Sequence, residues 1–169
     1  MIVNAAGSTV DGDGNLYGAR YGIGNEFTHL RTPTEAPPPA APGRNLIPGP
    51  PMNTVIAVVA TDVPLEKAAA KRMAMVAHDG LARALDPIHT LVDGDSIFAL
   101  STRLPDDDRP RLSVTDPTAL GQLETVFAAG SRTLSRAIVH AMLNAQTVET
   151  SAGAIPSYRD AYPSAFRTE

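Results

Sequence analysis

Hydrophobic positions form three clear patterns along the chain. The first is an unbroken run of β-branched and small apolar residues over 54–61, whose length and composition predict a strand buried on both faces. Apolar residues then recur every three or four positions, which predicts one helix over 64–85 and a second from 117 to about 146. Gly130-Ser131 predicts an interruption of the second helix, and Gly80 within the first indicates close packing there.

Shorter patterns occupy the rest of the chain. Four short strands are predicted, over 2–7, 16–21, 88–92 and 96–102. The C-terminal residues 150–169 are rich in small and polar side chains, which predicts irregular structure. Because helices and strands are mixed without strict alternation, the order of elements favours an α+β arrangement over a doubly wound sheet.

A proline-rich segment, residues 32–51, separates the first predicted strands from the long apolar run. Proline blocks both helix formation and strand pairing, so this segment is predicted to be extended or disordered. It is either a flexible linker or a mobile tail that keeps a processed bond accessible. The chain also begins almost at once with strand-like residues, which suggests that its natural neighbour lies upstream, outside this chain.

Length and composition limit the classes of protein that the chain can represent. A chain of 169 residues is expected to form a single domain, residues 1–169, with its own core. The net charge of −4 and the lack of a Lys/Arg cluster argue against nucleic-acid binding. Without cysteine there are neither disulfides nor thiolate chemistry. The apolar runs are too short for a membrane helix and no signal peptide is visible, so a soluble cytoplasmic protein is expected.

The sequence shows no convincing metal-binding motif. Residues 11–15 resemble the start of a calcium loop, but the twelfth position is Gly22 instead of an acidic residue, so a hairpin turn is predicted. The histidines lack the spacing of zinc ligands; they are His29, His78, His89 and His140. His78, beside Asp79 in the first predicted helix, is interpreted as a packing or hydrogen-bonding residue.

The junction between Asn53 and Thr54 allows two interpretations. It could be an ordinary strand start, or Thr54 could be a nucleophile that is masked inside the chain until the preceding bond is cut. An N-terminal threonine carries its own base, because its α-amine has a reference pKa of roughly 8 and is partly unprotonated at neutral pH. An internal threonine reaches this state when its Oγ attacks the preceding carbonyl and the resulting ester hydrolyses.

Three blocks of sequence, in the same order, resemble one family of self-cleaving amidohydrolases. They are residues 3–8, residues 52–62, and the pair of stretches 77–84 and 89–100. The family contains the DmpA-type aminopeptidases, the β-peptidyl aminopeptidases and the nylon-oligomer hydrolase NylC. The Asn-Thr junction and the Asp-Gly-Asp stretch are most similar to the nylon-hydrolase branch.

The resemblance implies a role for each matching residue. Thr54 is the nucleophile and the bond between Asn53 and Thr54 is the autocleavage bond, so that residues 1–53 end the α-chain and 54–169 form the β-chain. Asn4 contributes a donor to the oxyanion site. Asp93 and Asp95 form an acidic pair; as alternating residues they can both face Thr54, one orienting the amine and the other holding the hydroxyl. The other interpretation of 93–95 is a simple turn.

The same resemblance implies a fold, a reaction and an assembly. The fold is a four-layer αββα sandwich, here incomplete on its N-terminal side, because family precursors are longer and their upstream part supplies strands and a Tyr or Lys of the active site. The reaction is hydrolysis of a small amide or peptide without metal or cofactor. The assembly is a homo-oligomer of processed heterodimers. Two alternatives stay open, namely acyl transfer as in the ornithine acetyltransferases and a non-catalytic fragment that acts as an assembly partner.

Overall fold

The computed structural model describes residues 1–36, 53–102, 106–151 and 153–166. Its strands and α-helices are, in chain order, β1 (Ile2–Asn4), β2 (Thr54–Thr61), α1 (Lys67–Ala82), β3 (Ser96–Ser101), α2 (Leu120–Asn144), β4 (Val148–Thr150), β5 (Gly153–Ile155) and α3 (Tyr158–Ala161). Strands and helices are thus mixed, which confirms the predicted α+β class. Most of the proline-rich segment 32–51 lies outside the described residues, and the prediction for it stays a prediction.

The main sheet has three strands in the order β1-β2-β3. β1 runs antiparallel to β2 with Asn4 opposite Thr54, and β3 runs parallel to β2 with Phe98 opposite Val58. Parallel neighbours need a crossover connection, and α1 supplies it between β2 and β3. The start of β2 therefore lies between the end of β1 and the loop that leads into β3.

Only one face of this sheet is covered within the described residues. Val55, Ala57 and Val59 are buried in the main core, which they share with side chains of α1 and α2. The alternate residues Ile56 and Val58 are 45% and 60% exposed. The prediction that β2 is buried on both faces is therefore wrong for this structure, because both long helices pack on the same side of the sheet.

The two long helices approach each other closely at Gly80, as the sequence predicted. A Cβ atom added at Gly80 would lie 2.3 Å from the carbonyl oxygen of Ser131 in α2. The buried Ser135 hydroxyl donates to the Gly80 carbonyl oxygen at 3.0 Å. The predicted break at Gly130-Ser131 is wrong: α2 is continuous there, because its small residues serve helix–helix contact.

Two predicted short strands have other structures. Residues 17–21 form a 3-10 helix in place of a strand, and Leu16 beside it is buried in a second apolar cluster with Val139 of α2. Residues 88–92 form bends and turns, and the Asp93 N–H donates to the Thr90 carbonyl oxygen at 3.1 Å. This turn brings Asp93 to the start of β2.

The C-terminal region is more ordered than its composition predicts. β4 and β5 pair as an antiparallel hairpin, and α3 follows them. Tyr158 and Tyr162 are buried in the second cluster, and the Tyr158 hydroxyl donates to the Gly14 carbonyl oxygen at 3.0 Å. The prediction of irregular structure is wrong here, because the aromatic residues give this polar segment an apolar anchor.

The turn at residues 11–15 has the predicted hairpin form. The Asp11 N–H donates to the Asn15 carbonyl oxygen at 2.9 Å, and Val10 and Leu16 form an antiparallel bridge on either side. Among the residues that the structure describes, no cluster of three or more His, Asp or Glu side chains could hold a metal ion. No helix in the described ranges is long and apolar enough to cross a membrane.

Candidate active site

The loop over 92–95 lies along the start of β2 and continues the parallel pairing of β3. The Asn53 N–H donates to the Val92 carbonyl oxygen at 2.9 Å, and the Gly94 N–H donates to the Asn53 carbonyl oxygen at 2.9 Å. Asn53 and Asp93 accordingly form a parallel bridge. Backbone pairing, independent of side chains, thus brings the Asp-Gly-Asp loop against the Asn53–Thr54 bond.

The backbone of Gly94 contacts both groups that would react in self-cleavage. The Thr54 hydroxyl donates to the Gly94 carbonyl oxygen at 2.8 Å. The Gly94 N–H, on the other side of the same residue, donates to the Asn53 carbonyl oxygen at 2.9 Å. The Thr54 hydroxyl and the Asn53 carbonyl oxygen are therefore held by one residue.

Asp95 is a nearly buried carboxylate next to the start of β2. Its side chain is 2% exposed. Oδ1 accepts a hydrogen bond from the Val55 N–H at 2.8 Å, and Oδ2 lies 2.6 Å from Nδ1 of His89. Asp95 thereby holds the backbone of the residue that follows Thr54.

Asp93 makes its contacts on the opposite side of the loop. Oδ1 accepts from the Ala6 N–H at 3.0 Å, and Oδ2 accepts from the N–H and the hydroxyl of Thr90 at 2.9 and 2.7 Å. Burial favours the protonated form, but the hydrogen bonds from Thr90 and Ala6 outweigh it and lower the pKa of Asp93 below its usual value. Asp93 thus ties the loop to the segment that follows β1.

The acidic pair lies at the junction, but neither carboxylate holds the hydroxyl. Asp93 and Asp95 flank Gly94, whose carbonyl oxygen is the acceptor for Thr54 in the uncleaved chain. The expectation that one carboxylate holds this hydroxyl is therefore not met in this structure, in which Asn53 and Thr54 are joined. The two side chains instead fix the backbone on either side of it.

Asn4 lies directly across the sheet from Thr54. The two residues are register partners in the antiparallel pairing of β1 with β2. Side chains of such partners project to the same face, with Cβ atoms about 4.5–5.5 Å apart. The face is the open one, which also carries Ile56 and Val58. An amide group at Asn4 is thus within reach of Thr54.

His89 and His78, which the sequence did not assign to the site, form a chain of contacts that starts at Asp95. Nε2 of His89 is 3.3 Å from Nδ1 of His78, and the ring centroids are 5.0 Å apart. Burial, together with the charge of His89, lowers the pKa of His78, against the opposing effect of Asp95 and Asp79. The interpretation of His78 as a hydrogen-bonding residue is confirmed. Its partner could not be found from spacing, because the turn over 88–92 determines where His89 points.

Comparison with known proteins places these residues in a family. The model of peptidase family S58 matches residues 2–155. An uncharacterized aminopeptidase of Mycobacterium tuberculosis is 43% identical over 119 residues, which are 69% of this chain and 33% of that protein. The 6-aminohexanoate-oligomer endohydrolase of Paenarthrobacter ureafaciens is 30% identical over 131 residues, which are 73% of this chain and 34% of that protein.

Two solved structures are also similar. The PH0078 protein of Pyrococcus horikoshii has a TM-score of 0.48 at 24% identity, over 68% of this chain and 33% of that one. A β-aminopeptidase of Burkholderia has a TM-score of 0.44 at 22% identity, over 85% of this chain and 42% of that one. The chain spans 33% of the length of the mycobacterial relative. The family model covers most of the chain, and the chain belongs to peptidase family S58.

Proposed function

We propose that the chain is the C-terminal part of a self-processing amidohydrolase whose nucleophile is Thr54, freed by cleavage of the bond between Asn53 and Thr54. One observation carries the proposal: the Gly94 backbone binds both the Thr54 hydroxyl and the Asn53 carbonyl oxygen. The bond from the Gly94 N–H to Asn53 is part of ordinary strand pairing, whereas the bond from the Thr54 hydroxyl to the Gly94 carbonyl oxygen is an additional contact of the side chain. Together the two contacts hold the hydroxyl and the neighbouring carbonyl oxygen on one residue, which supports an intramolecular attack.

Self-cleavage begins when Thr54 Oγ1 attacks the carbonyl carbon of Asn53. Negative charge develops on the carbonyl oxygen, and the Gly94 N–H already donates to it at 2.9 Å. A fixed donor at such an oxygen is a main source of catalysis in acyl transfer. The C–N bond then breaks, the proton from the hydroxyl passes to the Thr54 nitrogen, and an ester remains. Water hydrolyses the ester and leaves a carboxylate on Asn53 and an amine on Thr54.

The freed amine then acts as the base for hydrolysis of a substrate. It takes the proton of the Thr54 hydroxyl as Oγ1 attacks the amide carbonyl of the substrate. Asn4, the register partner of Thr54, donates to the developing oxyanion. The leaving amine takes up a proton, and water releases the acyl group. The buried Asp95 supports the cationic form of the new amine electrostatically.

The proposed substrate is a small amide or peptide. Support comes from the relatives, since one is named an aminopeptidase and another a 6-aminohexanoate-oligomer endohydrolase. Both break amide bonds according to their names. The chain spans about a third of either relative, so the pocket walls are expected to come in part from further polypeptide.

The open face of the sheet supports the proposal that this chain forms only part of a four-layer αββα sandwich. Exposed apolar residues line it on all three strands; they are Ile2, Ile56, Val58, Phe98 and Leu100. An exposed apolar face of this kind typically marks a surface that another layer or partner covers. In the proposal a second sheet from upstream polypeptide does so, and the completed αββα units assemble as a homo-oligomer of processed heterodimers. The same face also favours the alternative in which the chain serves only as an assembly partner.

The experiment that separates these functions measures amide hydrolysis with a defined nucleophile variant. We expect the purified chain, combined with its upstream segment, to hydrolyse amino-acid amides or 6-aminohexanoate oligomers. Thr54→Ala is expected to lose this activity, whereas Thr125→Ala, an exposed threonine on α2, keeps it. If the unmutated chain associates with its upstream segment but hydrolyses no amide, the chain is an assembly partner and not an enzyme.

A further inference from the structure

His89 adopts a backbone conformation that few non-glycine residues take. Its φ angle is +57°, in the left-handed region. Within the described ranges, His89 is the only residue other than glycine that has a positive φ. This conformation is costly for most side chains; glycine tolerates it best, and asparagine, aspartate and histidine are the other residue types most often found there. A strained backbone conformation is retained when contacts with the surrounding structure stabilise it, and such residues are common at functional sites.

The imidazole of His89 supplies one of two donors to a buried carboxylate. Nδ1 of His89 lies 2.6 Å from Oδ2 of Asp95, while Oδ1 accepts from the Val55 N–H at 2.8 Å. The Asp95 side chain is 2% exposed, against 43% for His89. Removal of the imidazole would leave a buried carboxylate oxygen without this donor. The carboxylate would then rotate toward water and weaken its hold on Val55.

The contact with His78 bears on which nitrogen of His89 carries the proton. Nδ1 of His78 faces Nε2 of His89 at 3.3 Å, so one proton can lie between the two rings. When His78 donates that proton, Nε2 of His89 is an acceptor and the remaining proton of a neutral His89 must be on Nδ1. That nitrogen points at Asp95, so the pair keeps His89 in the form that donates.

We propose that His89 is a positioning residue for the nucleophile, held in its donor form by His78. It fixes Asp95, Asp95 fixes the Val55 amide, and the Val55 amide fixes Thr54 against the Gly94 backbone. The proposal rests on the proposed function only where a reaction rate is measured. The positioning itself is a property of the uncleaved chain and has its own measurement.

Two substitutions at His89 separate the loss of the hydrogen-bond donor to Asp95 from the loss of the positive φ angle. His89→Asn suits a positive φ and retains a side-chain N–H near the place of Nδ1. His89→Gly suits the same φ and has no donor. In a Thr54→Ala background, which keeps the chain whole, we expect the Val55 amide to exchange its hydrogen about tenfold faster or more in His89→Gly, and at the parent rate in His89→Asn. Residue-resolved hydrogen exchange by NMR provides the measurement, and unfolding curves confirm that both variants are folded.

The same pair tests the consequence for the reaction. With Thr54 present, we expect the fragment that begins at Thr54 to form about tenfold more slowly or worse in His89→Gly, and within a few fold of the parent rate in His89→Asn. His140→Asn, at a histidine that contacts Glu26 and, within the described ranges, neither Asn53 nor Thr54, serves as the matched control and is expected to keep the parent rate.

The outcomes are distinguishable from failure of the proposed function. If the unmutated chain never cleaves, the proposed function is wrong while the exchange of the Val55 amide still decides the positioning. The proposal is overturned if the Val55 amide exchanges at the same rate in His89→Gly and His89→Asn, or if both variants lose the same fraction of the cleavage rate. If His89→Gly does not fold, the nitrogen chemical shifts of His89 in the unmutated chain decide: a proton on Nδ1 supports the proposal, and a bare Nδ1 overturns it.

Discussion

At the scale of single residues, Gly94 acts through its main chain. Its N–H donates to the carbonyl oxygen of Asn53 and its own carbonyl oxygen accepts from the Thr54 hydroxyl. A Cβ atom at Gly94 would lie 3.8 Å from Thr54 Oγ1 and 3.9 Å from the Asn53 oxygen, which are ordinary contact distances. The backbone contacts should therefore survive a small side chain at this position.

This geometry gives a paired prediction for self-cleavage. Gly94→Pro removes the N–H, and we expect the cleavage rate to fall by about a hundredfold or more, as on loss of an oxyanion donor. Gly94→Ala keeps the N–H, and we expect a rate close to that of the parent. Both rates are measured as the appearance of the fragment 54–169. A parent-like rate in Gly94→Pro would show that this donor takes no part in cleavage.

The residues of the site differ in how far the sequence could predict them. Asn53, Thr54 and the Asp pair lie in recognisable blocks, and the backbone pairing of strands brings those blocks together. The hold on the hydroxyl by a main-chain carbonyl could not be predicted, because any residue type has one. The position of His89 depends on the turn over 88–92, for which no periodic pattern exists.

At the scale of elements, the packing of α1 on α2 depends on a glycine. A Cβ at Gly80 would lie 2.3 Å from the Ser131 carbonyl oxygen, whereas one at Gly130 would meet the flexible Met73 side chain at 3.4 Å. Alanine favours a helix over glycine by about 1 kcal/mol at either position. Only at Gly80 does a backbone clash oppose that gain.

We therefore expect opposite effects of the same substitution in the two helices. Gly80→Ala should lower the free energy of unfolding by about 1–3 kcal/mol, since the helices must separate. Gly130→Ala should leave it unchanged or raise it by up to about 1 kcal/mol. Urea unfolding curves measure both. Equal effects of the two substitutions would contradict the close approach at Gly80.

The segment before the proline-rich region is fastened to α2 by an ion pair. Glu26 accepts from Arg136 Nε and Nη2, each at 2.6 Å, and lies 2.7 Å from Nε2 of His140. The hydrogen bonds from Arg136 are the main cause that lowers the pKa of Glu26 from 4.5 to about 2. A carboxylate whose pKa is lower in the folded state than in the unfolded state stabilises the fold at a pH above its unfolded-state pKa. This stabilisation is lost as the pH falls toward the folded-state pKa.

The corresponding prediction concerns stability in acid. We expect the free energy of unfolding to fall as pH drops from about 4.5 to about 2, and Glu26→Gln to remove part of this slope. The exposed Glu124→Gln serves as the control and should keep the slope. Denaturant unfolding at several pH values tests it. An unchanged slope in Glu26→Gln would mean that the ion pair does not persist in solution.

The elements also show why sequence patterns are only partly sufficient. Both long helices are predicted because their apolar spacing is regular over many turns. The burial of β2 is overestimated, because a run of apolar residues does not reveal whether one or two layers cover it. The ordered C-terminal segment is missed, because Tyr158 and Tyr162 anchor it through contacts distant in sequence.

At the scale of the whole molecule, the open face of the sheet is the most conspicuous feature. Val58 and Phe98 are each 60% exposed and lie opposite each other in register. Among the described residues nothing covers this face, and the candidate active-site residues Asn4 and Thr54 lie at its edge. In the proposed function, the covering layer and the substrate pocket come from the same additional polypeptide.

A charge on this face should therefore affect assembly and not folding. We expect Val58→Lys to change the free energy of unfolding of the isolated chain by less than about 0.5 kcal/mol, as for an exposed position. The same variant should lose association with the upstream segment, measured by sedimentation. Met75→Lys, at an exposed position on α1, is the control and should associate normally. Normal association of Val58→Lys would contradict a covering layer on this face.

The central claim, that Thr54 becomes the first residue of a processed chain, is tested most directly by the intact mass of the purified protein. We expect two products, residues 1–53 and residues 54–169, whose masses together exceed that of the whole chain by one water. Thr54→Ala should stay whole under the same conditions. A folded chain that remains uncut, or that is cut at another bond, would contradict the account.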